Sequence, residues 1–133
     1  MYKATRPSEY ICFFPAEFST RIDGDVYAFI FVDAYSEFVI MTGMEKDRSH
    51  KTILKHIRLL TKNKDFLKHK GSPFTLVVHR YEDIKDEILH IIKPFNGKVF
   101  IDDTFVAEKV SPVLESLFAS LAGKANPDNP FLN

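Results

Sequence analysis

The chain has 133 residues, 45% of them hydrophobic, with 13 Phe, one Cys and equal numbers of acidic and basic side chains. That composition describes one globular domain and excludes both an internal disulfide and a uniformly basic nucleic-acid-binding protein. No apolar run approaches the roughly 20 residues of a membrane helix, and the first ten residues hold no apolar signal segment, so a cytoplasmic protein with no membrane contact is expected.

In chain order, residues 1–10 read as an N-terminal extension. Ile11 to Ile22 predicts a first strand in which apolar Phe14, Phe18 and Ile22 interleave with Glu17, Ser19 and Arg21. Asp23-Gly24-Asp25 is a hairpin turn signal. Val26 to Asp33 is too uniformly apolar for a half-exposed position and predicts a central strand, and Ala34 to Glu37 turns the chain into a third, Phe38 to Met44. Ser49 caps a helix that turns Ile53, Leu54, Ile57 and Leu60 to one side. A loop is expected from Asn63 to Pro73, then a short buried strand, Phe74 to His79. Glu82 and Asp83 open a second helix with Ile84, Ile88, Ile91 and Ile92 inward, and Pro94 stops it. After the Asn96-Gly97 turn, Lys98 to Ile101 makes a fifth strand. Ser111-Pro112 predicts the start of a last helix, with Val113, Leu114, Leu117, Phe118 and Leu121 inward and Gly123 as its cap. The tail, 124–133, reads as loose.

Charge is unevenly spread. Between Lys46 and Lys70 nine Lys and Arg stand against two Asp, a local +7 balanced by −7 elsewhere. Lys51, Lys55, Arg58 and Lys62, with Arg80 further on, are the candidate phosphate contacts, and the same asymmetry suits a self-complementary homodimer. His79-Arg80-Tyr81 closes a strand, where a guanidinium can fork onto phosphate and a Tyr can stack on a base. Asp33 is expected to cap its own turn.

The element order, β-β-β-α-β-α-β-α, with right-handed crossovers, predicts an α/β fold: a mixed five-stranded sheet with helices on both faces. Over residues 11–123 this resembles the ribonuclease H-like domains, and most of all the integrase and transposase catalytic cores among them. Three segments carry the likeness. Val32-Asp33-Ala34-Tyr35-Ser36-Glu37-Phe38 resembles their second-strand signature. Phe14-Pro15-Ala16-Glu17-Phe18-Ser19 resembles the first-strand pattern of an aromatic, two residues, Asp, one residue and Thr. Val113-Leu114-Glu115-Ser116 resembles the start of the helix that carries the catalytic Glu.

The resemblance implies metal-assisted phosphodiester chemistry, in which three carboxylates hold two Mg²⁺ or Mn²⁺ ions roughly 3.5–4 Å apart. Transferred by position, the first-strand Asp falls on Glu17, or on Asp33 if Val26 to Asp33 is taken as the first strand, and the helical Glu on Glu115. The middle Asp falls on Tyr81, or on His79 if the register slips by two, and neither neutral side chain is a usual ligand for a hard cation. Asp83, Asp102 and Asp103 are the acids that could replace it; otherwise Asp102-Asp103 is a strand-end turn. The expectation is therefore a core with a degraded acidic triad and no cofactor. Such a domain, linked to a mobile element, would serve as a module binding DNA or RNA weakly and without sequence preference, or binding protein. The alternatives are an active Mg- or Mn-dependent nuclease or strand transferase, and a structural assembly subunit.

Overall fold

The computed structural model describes residues 3–20 and 24–124, with side chains for all of these but Thr20 and 117–124. Five strands form one sheet: β1 (Tyr10–Thr20), β2 (Gly24–Asp33), β3 (Val39–Glu45), β4 (Phe74–Val78) and β5 (Gly97–Ile101). Their spatial order is β3-β2-β1-β4-β5. The first three make the antiparallel meander, and β4 and β5 join parallel to β1. Four helices accompany them: α1 (His50–Leu60), α2 (Lys64–Leu67), α3 (Lys85–Ile92) and α4 (Asp103–Lys124).

Alternation along the strands sends side chains into two cores. Ile11 and Phe13 of β1 and Phe29 and Phe31 of β2 pack beneath α1 and α3, against Ile53, Ile57, Ile88 and Ile92. Cys12, Ala16 and Phe18, with Ala28, Ile30 and Val32, meet Phe105, Val106 and Val110 of α4 on the opposite face. Phe13, Phe29 and Phe31 are wholly buried, and truncating any one to Ala costs about 3–5 kcal/mol. The uniform apolarity of β2 follows from its central place: it is covered on both faces.

Asp33 ends β2 as a turn residue. Its Oδ1 accepts the Ser8 and Tyr35 backbone amides at 3.0 and 3.1 Å, and its Oδ2 accepts the Ser36 hydroxyl at 2.8 Å. Ser8 and Arg6, which donates to the Pro73 carbonyl, thus tie the expected N-terminal extension to the domain, and β1 begins at Tyr10.

Three expectations are corrected. The segment from Asn63 to Pro73 is not all loop, because the Asn63 side chain accepts the Asp65 and Phe66 amides and starts the short α2. The last helix begins at Asp103 rather than Ser111, so Pro112 lies inside α4 and Gly123 lies within the helix rather than past it. Asp102 is accordingly a helix cap, not a turn residue: its Oδ1 accepts the Phe105 amide at 3.0 Å and its carbonyl accepts the Val106 amide at 3.1 Å. The expected strand end at Arg21–Ile22, the inward Leu117, Phe118 and Leu121, and the tail past Lys124 lie outside the described residues and side chains.

Candidate nucleic-acid interface and the carboxyl edge of the sheet

The sheet's carboxyl edge, where β4 and β5 hand over to helices, gathers one charged cluster. His79 Nδ1 is 3.1 Å from one carboxylate oxygen of Asp103, and Arg80 Nε is 3.4 Å from the other. Arg80 adopts a left-handed backbone (φ 60°) that turns its side chain outward, where it is three-quarters exposed. His79 meets Phe14 of β1 edge-on, with ring centroids 5.6 Å apart. On this face, beside the end of β4, β1 therefore presents an aromatic ring.

The structure does not bring the other candidate acids to this cluster. Glu17 follows the strand alternation onto the α1 side of the sheet, away from α4. There its Oε1 accepts a 3.4 Å hydrogen bond from Tyr27, its register partner. Glu115 is exposed on α4, twelve residues beyond Asp103 and so about 18 Å along the helix. Asp83 lies in the 3-10 turn Glu82–Ile84, 3.3 Å from His50 Nε2. That turn precedes α3, which begins at Lys85 and not at Glu82 as expected. Tyr81 packs against Phe13 on the α1 side, and burial raises its phenol pKa. Only Asp102 and Asp103 adjoin, and Asp102 is occupied in capping.

These residues do not fit a magnesium or manganese site. A hard divalent cation wants several oxygen ligands at short range. Here the exposed Asp103 carboxylate already faces an imidazole and a guanidinium. Among the described residues no three of His, Cys, Asp and Glu come together in a way that could hold a metal ion.

The basic candidates do converge. Ser49 starts α1, its Oγ accepting the Thr52 amide, and Asp47 accepts the Ser49 amide at 3.0 Å and the Thr52 hydroxyl at 2.6 Å. Ile53, His56, Ile57 and Leu60 face the sheet. At 3.6 residues per turn, the backbone positions of Lys51, Lys55 and Arg58 then lie within about 60° of one another, opposite the buried face, and the Lys55 side chain reaches back to Glu45 at the end of β3. Lys62 follows just past the helix end, and all four are exposed. Arg80 stands apart, at the end of β4.

One residue missed at the sequence level fixes this helix in place. His56 is buried against Phe29, with ring centroids 4.7 Å apart. Its Nε2 lies 3.0 Å from Glu45 Oε2, and Lys55 Nζ donates to the same oxygen at 3.1 Å. The hydrogen bond to His56, and then that from Lys55, lowers the Glu45 carboxyl pKa. His56 Nδ1 has no hydrogen-bond partner among the described residues. The sequence signal was a His within the apolar stripe of α1, three residues beyond Ile53.

A groove of about 1040 Å³ opens elsewhere, over β2 and β3 beside α4, and among the described residues Glu37 is the only titratable one lining it.

No protein-family model and no curated protein matches this sequence. Solved structures do match its fold. The simian T-cell lymphotropic virus intasome, solved in complex with the PP2A regulatory subunit B56 gamma, matches 96% of this chain at 16% identity with a TM-score of 0.65. This chain spans about half of that one, 46%. The HTLV-2 integrase catalytic core, solved with magnesium in a dimeric form, matches 96% of this chain and 81% of its own at 13% identity and a TM-score of 0.62. The catalytic domain of the Mos1 mariner transposase matches 95% of this chain and 64% of its own at 12% identity and a TM-score of 0.55. The strand order, the mixed sheet and these neighbours agree: the chain has the ribonuclease H-like fold of integrase and transposase catalytic cores.

Proposed function

We propose that this chain is a catalytically silent relative of those cores, a module that binds nucleic-acid phosphates weakly and without sequence preference through the outer face of α1. The observation that carries the reading is the row Lys51, Lys55, Arg58 and Lys62, set opposite the buried face of a helix that His56 and Glu45 hold down. The separation of the acids supports the silent half. Glu17 and Glu115 stand on opposite faces of the sheet, and Phe14 occupies the α4-side position beside the end of β4.

The alternative, a metal-dependent nuclease or strand transferase using Glu17, Glu115 and a third acid, would need those side chains to converge. A homodimer remains part of the proposal, since the HTLV-2 core has been solved in dimeric and trimeric forms.

Binding of a labelled oligonucleotide, followed by fluorescence anisotropy across a salt series, tests the reading. Three to four phosphate contacts predict a slope of log K on log salt of about −2 to −4. Lys51→Glu, Lys55→Glu and Arg58→Glu together should abolish binding while leaving the circular dichroism unchanged. Equal binding by the triple variant would refute the assignment to α1.

A further inference from the structure

We propose that the α1 track takes a single nucleic-acid strand in preference to a duplex, because carboxylates on its α3 side repel a second backbone; this rests on the reading of α1 as a phosphate-binding surface. Along α1 the cations rise by about 6 Å from Lys51 to Lys55 and about 4.5 Å from Lys55 to Arg58, a single file rather than a broad patch. The file is flanked. On one side α3 packs against α1, and packed helix axes lie about 8–10 Å apart. Its approach presents Glu82, Asp83, Asp86 and Glu87, all exposed, with Lys85 the only cation among them. The His50–Asp83 contact fixes the two helix starts side by side. On the other side Glu45 stands against Lys55 and Asp47 against the first turn of α1, but the exposed Lys46 and Arg48 alternate with them, so that flank carries no net charge. Arg48 on that flank is turned over the Tyr27 ring, 5.4 Å from its centroid.

A single strand lying along the file meets Lys51 and Arg58 directly, and Lys55 where it is shared with Glu45. A duplex brings a second backbone across a groove about 6 Å or about 12 Å wide, which sets its phosphates over the flanking carboxylates. At an ionic strength of about 0.1 M the Debye length is about 10 Å, so those charges still act on one another. The outward row Lys51, Lys55 and Arg58 holds no aromatic ring, so contact along that row runs through the phosphates.

The test compares a labelled oligothymidine single strand with a mixed-sequence duplex of the same length, using anisotropy at low salt. Three unit charges at about 10 Å in water amount to about tenfold in affinity, so the single strand should bind about tenfold more tightly. In the variant Glu82→Gln, Asp86→Asn, Glu87→Gln, duplex affinity should rise by about that factor, with the single strand changed less. Duplex binding equal to or tighter than single-strand binding in the wild type overturns the inference, as does unchanged duplex binding in the neutralised variant. If the wild type binds neither probe, the phosphate-binding reading fails, and this inference with it. A thermal melt of the variant verifies that it folds.

Discussion

Substituting Gly43 should loosen the seat of α1. A Cβ added at Gly43 in β3 would lie 2.6 Å from His56 Cε1 and 3.1 Å from its Nδ1. The imidazole cannot withdraw freely: it is buried, packed on Phe29 and bonded to Glu45. Overpacking of this kind costs about 1–3 kcal/mol. Reduced freedom of the unfolded chain offsets about 0.4–1 kcal/mol of it for a Gly→Ala change. The net loss is therefore about 1–2 kcal/mol, a fall in melting temperature of about 4–8 °C for a domain of this size. Thermal melts of the wild type, Gly43→Ala, His56→Ala and the double variant form a double-mutant cycle. Removing the ring removes the clash, so the double variant should be less destabilised than the sum of the singles by about 1 kcal/mol or more. Additive losses, or a Gly43→Ala protein melting within about 1 °C of wild type, would refute the packing argument.

Other consequences follow from the same contacts. Glu45 has its pKa depressed below 4.5, first by His56 and then by Lys55, so its contribution to stability is present above about pH 4.5 and lost as the pH falls through the lowered value. Glu45→Gln should flatten the acid limb of a stability-versus-pH curve, and an unchanged limb would contradict this. Cys12 is wholly buried and burial pushes its thiol up to about 12, so iodoacetamide at about pH 8 should label it only after unfolding, as read by mass spectrometry. Pro112 has no N–H to offer the Glu108 carbonyl, and Pro costs up to about 3 kcal/mol against Ala inside a helix. Pro112→Ala should raise the melting temperature, whereas a lower one would show that the ring's packing beside Val113 outweighs the missing bond.

Much of the architecture was legible because its signals are local. The hairpin, the Ser49 cap and the apolar stripe of α1 are each read from a few adjacent residues, and Asp33 announces its own turn. The start of α4 was misplaced because Ser111-Pro112 is a strong helix-start signal, while the true cap, Asp102, sits directly on a strand end. The face of Glu17 could not be read locally. From Ile11 to Ala16 the strand is apolar at every position, so alternation separates odd from even residues without saying which set α4 covers. That is settled by α4 lying across β1 and β4, a long-range packing choice. The role of His56 was not legible, since a His on a buried stripe gives no sign of its partner eleven residues away.

The most direct measurement is a Mn²⁺ titration by calorimetry on the wild type and on Glu115→Ala, paired with a cleavage assay on labelled DNA in Mn²⁺. Carboxylates held on opposite faces of the sheet predict no heat beyond dilution in either protein and intact DNA. Stoichiometric binding at tens of micromolar that disappears in Glu115→Ala, accompanied by cleavage, would show a working metal centre and contradict the silent-core reading.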